Sequence, residues 1–522
     1  MKLLYLEQYF CFNILDIIKI LLDQTEWNKL GAYLKETQIL GSIQSTLYWD
    51  QNTGMPKNGA SWRSEQLTYI AKILHKRNSS EEFSDLIIAA KNECLVSGGK
   101  LLSQEILQSK KRNIELLEKE FYRQKNLDPK LVESLAKAKS KGYESWQEAK
   151  RKSDFKIFLP FFRELIKLRI EEAKQISAKD TPWETLAQPF EPDLTLEWLN
   201  DIFQPLKETI PSLISNLHKA EKYHWDLSPI SQENLCSKLL NEFGRDEDQV
   251  VVAKSPHPFS ITLGPNDFRI TTRIVEGEPF SSFLATAHEW GHSIYEQGLP
   301  SQSHQWFAWP LGQATSMGVH ESQSLFWENR IVKSKAFSKR FFKHFVSEGC
   351  SLNNHLELWK SINHIEPGLN RVEADELSYG LHILIRTELE IALIEGDLEA
   401  KDVPSEWNIR YEELLGVRPS NDSEGCLQDV HWSEGAFGYF PSYLLGHLIS
   451  AQISSQMEKE IGLIDNLVEK GEYEKIILWL KNNIHNHGRS VNSMQLVRNI
   501  TGEELKSSFF LENIRSKIRD LC

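Results

Sequence analysis

Apolar residues recur at helix-like spacings along most of the chain. Two long amphipathic stretches carry the pattern, with Ile106, Ile114, Leu117 and Phe121 in the first and Phe161, Leu165, Leu168 and Ile170 in the second. An α-helix turns once every 3.6 residues, so these spacings gather apolar side chains on one face. The pattern predicts a mainly α fold.

One segment has a different pattern. Residues 249–274 contain runs of β-branched side chains, and these runs flank the turn sequence Gly264-Pro265-Asn266-Asp267. β-Branched residues favour strands, whereas Gly, Pro, Asn and Asp favour tight turns. We therefore predict a small β-sheet here, immediately before the next helical stretch.

The rest of the chain shows no sign of a domain boundary. Residues 26–522 contain no internal repeat, no low-complexity linker and no clear break in composition. We predict a single domain over residues 26–522, which could be built as two lobes flanking a groove.

Residues 1–25 are predicted to form a separate N-terminal extension. The segment is apolar, but Glu7, Asp16 and Lys19 interrupt it and no small-residue cleavage site follows. We expect an amphipathic helix, with membrane association as the weaker alternative. No later segment has the roughly 18 uninterrupted apolar residues that a membrane-spanning helix needs, so no membrane partner is expected.

Composition places the chain among globular proteins. Of its 522 residues, 40% are apolar, and 73 acidic residues against 60 basic ones give a formal net charge of -13. The charges are spread along the chain without the basic stripe that phosphate backbones require. Nucleic acid is therefore not an expected partner.

The cysteines are far apart in the sequence. The six positions are Cys11, Cys94, Cys236, Cys350, Cys426 and Cys522, with no Cys-x-x-Cys pair. This spacing argues against a disulfide framework and against a thiolate metal cage, and it favours a reducing cytoplasm.

The helix that follows the predicted sheet carries the first chemical signal. Start signals at Pro279 and Ser281, with stop signals at Gly298 and Pro300, predict one helix from about residue 280 to residue 297. It contains the sequence His288-Glu289-Trp290-Gly291-His292.

Histidines four residues apart project from the same face of a helix, so His288 and His292 can bind one cation. Glu289 lies beside the first ligand and can act as general base on a metal-activated water, then pass the proton to a leaving amine. The spacing also occurs by chance on surface helices. Ala287 and Ile294 turn this face inward, however, where unpaired imidazoles are costly, and this favours a metal site over a satisfied core pair.

A third protein ligand is expected from a later helix, because a catalytic zinc site holds three protein ligands and one open position. The segment Gly318–Gln323 is the candidate, with Glu321 or His320 as the ligand. Adjacent residues on a helix point in different directions, so only one of the two can bind well.

Six short motifs occur in one order and match those of a known family. They are His257–Phe259 (HPF), Asp267–Thr271 (DxRxT), His288–His292 (HExxH), His320–Gln323 (HESQ), Arg371–Asp375 (RxxAD) and Gly425–Trp432 (GxxQDxHW). From about Trp27 to its C-terminus the chain resembles the carboxypeptidase Taq family of metallocarboxypeptidases. That family is mainly helical, and its fold is similar to those of neurolysin and angiotensin-converting enzyme.

The resemblance implies a large helical peptidase fold, with a deep active-site groove and a small β-sheet beside the metal helix. It makes Glu321 the third metal ligand and Glu289 the catalytic carboxylate. The implied activity is metal-dependent release of single C-terminal amino acids from short or unfolded peptides, by a homodimer. Zinc is the expected metal, one ion per chain, although the same ligands accept cobalt or manganese.

Departures from the family pattern concern substrate fit. Asn370 replaces the usual isoleucine before Arg371, and the loop at residues 303–309 is longer than expected.

Arginine is suited to binding the terminal carboxylate of a substrate, because guanidinium offers two parallel donors. Arg371 and Arg269 are the candidates, with a slight preference for Arg371, and His257 is included among the substrate-binding residues. The strand around residues 268–273 could also pair with an extended peptide.

His431 and Tyr439 are the candidates to donate hydrogen bonds to the oxyanion of the tetrahedral intermediate, with Tyr443 nearby. Asp375 or Asp429 could orient a histidine ligand from behind.

Two other functions stay open. An endopeptidase or dipeptide-releasing peptidase of the same fold would share every metal residue. A non-catalytic peptide-binding protein would be expected to have lost Glu289 or a ligand, and the sequence retains all of them.

Overall fold

The computed structural model describes residues 25–521, apart from residues 97–102, 218–225 and 304–305. It confirms the mainly α fold. The first part consists of α1 (Glu26–Thr53), α2 (Ala60–Asn78), α3 (Glu81–Val96), α4 (Gln104–Lys125), α5 (Pro129–Lys152), α6 (Phe155–Ile176), α7 (Pro182–Ala187), α8 (Leu196–Ser215) and α9 (Pro229–Glu242). The predicted N-terminal extension, residues 1–25, lies almost entirely outside the described residues.

The sheet and the remaining helices follow. They are β1 (Val250–Lys254), β2 (Ser260–Gly264), β3 (Asp267–Thr272), α10 (Ser281–Gly298), α11 (Met317–Leu325), a π-helix (Phe326–Val332), α12 (Lys335–Ser347), α13 (His355–Ile362), α14 (Glu376–Glu395), α15 (Val403–Leu415), α16 (Pro441–Ile461), α17 (Ile464–Lys470), α18 (Tyr473–Asn483), α19 (Ser493–Thr501) and α20 (Ser507–Leu521). Among the described residues, no helix is long and apolar enough to cross a membrane.

Capping side chains set where the important helices begin. Ser316 accepts a hydrogen bond from the Val319 backbone N–H at 3.1 Å and starts α11. Asp375 accepts from the backbone N–H groups of Leu377 and Ser378 and starts α14. Such caps satisfy backbone donors that the first helical turn leaves unpaired, each contributing about 1 kcal/mol.

The buried apolar residues form two clusters. The larger cluster runs from α5 to α20 and includes the apolar face of α10. The smaller one joins α1, α3 and α4, and its contact with the rest of the chain includes Trp309, whose ring stacks on Trp27 with centroids 3.9 Å apart. This arrangement is compatible with two lobes, and the single domain over residues 26–522 stays a prediction.

The small sheet has the strand order β1-β3-β2. β2 and β3 form the predicted antiparallel hairpin, with Asn266 in the turn at a φ of 62°, and β1 pairs with β3 in parallel. β3 therefore has a partner strand on both sides. The prediction that a peptide pairs with the strand at residues 268–273 is wrong, because its backbone hydrogen bonds are already made within the sheet.

The two helices that follow the sheet pack with their backbones in direct contact. Gly291 of α10 lies so close to α11 that an added Cβ would be 2.5 Å from both the Gln323 carbonyl oxygen and the Ser324 Cα. Any side chain at this position would force the helices apart. Gly291 therefore does more than separate Glu289 from His292 in the His-Glu-x-x-His sequence, because it also allows α10 and α11 to pack closely.

We expect Gly291→Ala to lower the free energy of unfolding by about 1–3 kcal/mol, because the new methyl group has no room in a packed helix contact. Gly41→Ala is the matched control, since Gly41 also lies inside a helix but has open space around it. That change should be neutral or raise the free energy of unfolding by about 0.5–1 kcal/mol. Thermal and denaturant unfolding measure both variants, and equal stabilities would contradict the packing argument.

Candidate active site

Three predicted metal ligands lie together at the contact of α10 and α11. The Glu321 Oε2 atom is 3.7 Å from His288 Nε2 and 3.5 Å from His292 Nε2. One donor atom from each residue lies within 4.8 Å of the other two. Two imidazoles and one carboxylate at this separation can hold a single divalent cation. We refer to His288, His292 and Glu321 as the donor cluster.

Helix α16 supports the donor cluster from the other side. A Cβ added to Gly446 would lie 2.6 Å from the Glu321 Cγ, so only glycine leaves room for this carboxylate. The Glu321 side chain is only 13% exposed. Its position is therefore fixed by packing between α11 and α16.

His288 is held from behind by a carboxylate. Its Nδ1 lies 2.9 Å from Glu328 Oε2, and Lys333 Nζ lies 2.6 Å from Glu328 Oε1. Burial alone would raise the pKa of Glu328, but Lys333 and His288 outweigh burial and hold it well below its usual range. The ionised Glu328 accepts the Nδ1–H of His288 and leaves Nε2 facing Glu321.

His292 has a different partner. Its Nδ1 lies 2.7 Å from His320 Nδ1, and His320 Nε2 lies 3.0 Å from Glu296 Oε1. His320 is thus behind His292 and outside the donor cluster. Of the two ligand candidates on α11, the geometry favours Glu321 over His320.

The expectation that Asp375 or Asp429 orients a histidine ligand is wrong. Asp375 caps α14, and Asp429 lies between two arginines. Glu328 and His320 instead contact the Nδ1 atoms of His288 and His292. Glu328 escaped prediction because its contact with His288 joins two helices at positions 40 residues apart in the sequence.

The charges around the donor cluster suit a cation. Burial lowers the pKa of His292 well below its usual value, so this imidazole is neutral and has a lone pair to donate. Burial would also lower the pKa of His288, but the carboxylates of Glu321 and Glu328 outweigh it and raise the pKa to about 10. The same negative field that stabilises an imidazolium would stabilise a divalent ion.

Glu289 lies beside the donor cluster, next to His288 in the sequence. It is 6% exposed, and its Oε2 atom has no hydrogen-bond partner among the residues that the structure describes. Burial raises its pKa to about 7, against the opposing charge of His288. A carboxylate in this state can accept a proton near neutral pH and release it again.

Arg371 belongs to a second charged group near the donor cluster. Its guanidinium donates to Asp429 at 3.0 Å and to the Tyr379 hydroxyl at 3.3 Å. Asp429 also pairs with Arg386, so two arginines share one carboxylate and the group keeps a net positive charge. The Tyr379 ring meets the Tyr443 ring edge-on with centroids 6.5 Å apart, and Tyr443 lies three residues before Gly446, which packs against Glu321. This charged group is therefore near the donor cluster.

His431 and Tyr439 lie together with Tyr443. The His431 Nε2 atom is 3.4 Å from the Tyr443 hydroxyl, and the ring centroids of His431 and Tyr439 are 5.4 Å apart. Burial lowers the pKa of His431 to about 4, so the ring is uncharged at neutral pH. Burial and the nearby Glu321 raise the pKa of Tyr439, which keeps the phenol protonated.

The segment that carries these two side chains is held by a buried carboxylate that sequence reasoning missed. Glu390 accepts hydrogen bonds from the Gly438 backbone N–H at 3.0 Å and from the indoles of Trp432 and Trp183 at 3.3 Å and 3.2 Å. Glu390 and Gly438 are 48 residues apart in the sequence, so no local pattern indicated their contact.

Arg269 and His257 have different surroundings. Both ends of the Arg269 guanidinium face Asp267, with Nε–Oδ1 at 2.8 Å and Nη2–Oδ2 at 3.0 Å. The His257 side chain is exposed, and its backbone carbonyl accepts from the Ser255 hydroxyl at 2.5 Å. In the described part of the chain, no hydrogen bond or ion pair links either side chain to the donor cluster.

Comparison with known proteins decides the family. The sequence model for the carboxypeptidase Taq (M32) metallopeptidases matches residues 29–518. The chain belongs to this M32 family. Carboxypeptidase 1 of Bacillus subtilis (strain 168) is 34% identical over 501 residues, which cover 94% of this chain and 97% of that protein. Thermostable carboxypeptidase 1 of Thermus thermophilus is 34% identical over 511 residues, which cover 95% of this chain and 98% of that protein.

Solved structures of M32 carboxypeptidases agree. The M32 carboxypeptidase of Deinococcus radiodurans R1 has a TM-score of 0.89 at 28% identity, covering 95% of this chain and 99% of that one. Metallocarboxypeptidase 1 of Trypanosoma cruzi has a TM-score of 0.88 at 31% identity, covering 95% and 99%. The chain is therefore an M32 metallocarboxypeptidase, a hydrolase that acts on peptides with a divalent metal. The predicted family, helical fold and carboxypeptidase function are confirmed.

Metal content tests the donor cluster of this M32 carboxypeptidase. We expect close to one divalent ion per chain in the purified protein, and reversible loss of activity with a chelator. Glu321→Ala should lower metal retention, whereas Glu289→Gln, at a buried carboxylate outside the donor cluster, should keep the metal. Elemental analysis after dialysis measures all three proteins. Native metal content in Glu321→Ala would show that the third ligand lies elsewhere.

Proposed function

We propose that this carboxypeptidase releases single amino acids from the C-terminus of short or unfolded peptides, using one metal ion held by His288, His292 and Glu321. The convergence of their three donor atoms beside Glu289 is the observation that carries the proposal. Zinc suits two imidazoles and one carboxylate, and the same set accepts cobalt or manganese.

Glu289 is the proposed general base. His288, His292 and Glu321 would hold the divalent ion, which would supply Lewis-acid polarisation of the scissile carbonyl and acidify the attacking water. Glu289 accepts a proton from that water at its unpaired Oε2 atom and delivers it to the leaving amine.

His431 and Tyr439 are the proposed donors to the oxyanion. Both carry a proton at neutral pH without positive charge, because burial lowers the pKa of His431 to about 4 and raises that of Tyr439. Neutral, preorganised donors stabilise the charge that develops in the transition state. Tyr443 contacts His431 and would fix its orientation.

Arg371 is the proposed ligand of the substrate carboxylate. Two arginines share Asp429, so the positive charge there exceeds the negative charge and a second carboxylate is favourable. Arg269 is the weaker candidate, because it forms a one-to-one ion pair with Asp267 and that pair has no excess positive charge for a second carboxylate. His257 stays a third candidate, supported by its motif alone.

The proposal extends to a cytoplasmic homodimer. The dimer follows from the family resemblance alone. The cytoplasm is supported by Cys94, Cys236, Cys350 and Cys426, which are free and buried in the described chain.

We expect Glu289→Gln to lower kcat by about 10²- to 10⁴-fold, since the amide cannot accept the proton of the attacking water. The metal content should stay at the native level, which separates loss of the base from loss of the ion. Steady-state hydrolysis of a short peptide measures the effect. Native turnover in this variant would refute the assigned base.

Amidating the C-terminus of a peptide should reduce its cleavage at least about tenfold, which corresponds to roughly 1.4 kcal/mol of transition-state binding. The reason is that a neutral amide cannot replace the carboxylate at Arg371. Arg371→Ala should cause a similar loss on free-acid peptides with intact metal content, and Arg269→Ala should cost less. Mass spectrometry identifies the products.

Equal rates on amidated and free peptides, or internal cuts, would instead favour the endopeptidase alternative. Release of residue pairs would favour a dipeptide-releasing enzyme. In either case the metal site itself would be unaffected, because these enzymes share the same donor residues.

A further inference from the structure

A chain of three polar side chains runs behind the donor cluster. His292 Nδ1 lies 2.7 Å from His320 Nδ1, and His320 Nε2 lies 3.0 Å from Glu296 Oε1. We call Glu296, His320 and His292 the relay. Only its last member belongs to the donor cluster.

Two adjacent helices, α10 and α11, position the three residues of the relay. His292 and Glu296 lie one turn apart on α10, and His320 reaches between them from α11 as the residue before Glu321. The His320 and Glu296 side chains are only 21% and 24% exposed. The Tyr295 ring meets the His320 ring edge-on, with centroids 5.3 Å apart, so the imidazole has little freedom to turn.

The hydrogen-bond roles in the relay follow from one end. A carboxylate accepts, so the His320 Nε2 atom in contact with Glu296 carries a hydrogen. A neutral imidazole with a hydrogen on Nε2 has its lone pair on Nδ1. The Nδ1 atoms of the two histidines are in contact, so His292 must donate from Nδ1, and its own lone pair is then on Nε2.

That Nε2 atom is the one that faces Glu321, at 3.5 Å. We infer that Glu296 and His320 are positioning residues, which fix the tautomer of His292 so that its Nε2 lone pair is available to the divalent ion. This inference rests on the metal site proposed above. If His320 donated from Nδ1 instead, the hydrogen of His292 would lie on Nε2 and would block the ion.

The two ligand histidines are therefore oriented by different means. His288 has a direct carboxylate partner, Glu328, which Lys333 balances. His292 has a carboxylate partner only through a second imidazole. The relay consequently predicts that His320 and Glu296 control metal affinity although neither binds the metal. His320 is one hydrogen bond away from the ligand His292, and Glu296 is two hydrogen bonds away.

The test compares substitutions of His320 that differ in one property. His320→Phe keeps the ring but removes the acceptor, and we expect zinc affinity to fall about 10- to 100-fold. His320→Asn should recover most of the affinity, because its amide oxygen can take the place of Nδ1 and accept from His292. Competition between the metal-free protein and a chromogenic zinc chelator measures the dissociation constants.

Two further variants act at the end of the relay. Glu296→Leu should weaken zinc binding in the same way, and Glu296→Gln should do so less, because the amide oxygen can still accept from His320. If His320→Phe does not fold, the comparison of Glu296→Leu with Glu296→Gln tests the inference instead.

His485 provides a packing control. It is a buried histidine that contacts Tyr295 and Gln323 but lies outside the relay. His485→Phe should lower the thermal stability at least as much as His320→Phe, yet leave zinc affinity within about twofold of native. Nitrogen-15 spectra of histidine-labelled, metal-free protein should show His292 protonated at Nδ1, and a mixture of tautomers in His320→Phe.

The outcomes are distinct. Native zinc affinity in both His320→Phe and Glu296→Leu would overturn the inference. So would equal losses in His320→Phe and His320→Asn, since packing and not acceptance would then be the cause. Failure of the native protein to bind zinc at all would instead refute the proposed metal site.

Discussion

The site depends on the close approach of two helix backbones. Gly291 brings α10 against Gln323 and Ser324 of α11, at a separation that no larger residue would permit. This contact places the histidines of α10 within reach of the Glu321 carboxylate on α11. Gly446 extends the same principle to α16, where the missing side chain leaves space for Glu321. The donor separation is thus set by packing, which is how a metal site becomes preorganised.

Burial at this contact makes every charge near it expensive unless it has a partner. The groups are arranged in three partnered sets, namely His288 with Glu328 and Lys333, His292 with His320 and Glu296, and Asp429 with Arg371 and Arg386. Glu289 differs from these three sets, because its Oε2 atom has no hydrogen-bond partner within the described chain. A buried oxygen without a partner reduces stability, so its presence fits a proton acceptor better than a brace for the fold.

Features that depend on local periodicity were within reach of the sequence. The metal helix follows from its spacing and end signals, and the hairpin from its turn. The Asp267–Arg269 pair was also accessible, because residues two apart on a strand share a face. Glu328 was not, since its contact with His288 joins two helices at positions 40 residues apart in the sequence. Nor was the central position of β3, because it depends on parallel pairing with β1, which precedes the β2–β3 hairpin in the sequence.

The proposed chemistry is divided between two stretches of chain that meet at α16. The metal donors lie between residues 288 and 321, whereas the proposed substrate and oxyanion groups lie between residues 371 and 443. Tyr443 and Gly446 are nearly one turn apart on α16, so the helix that makes room for Glu321 also carries the tyrosine beside His431. A displacement of α16 would therefore disturb both its packing against Glu321 and its contact with His431. Because this helix is buried along most of its length, it would hold the two proposed groups at a fixed separation.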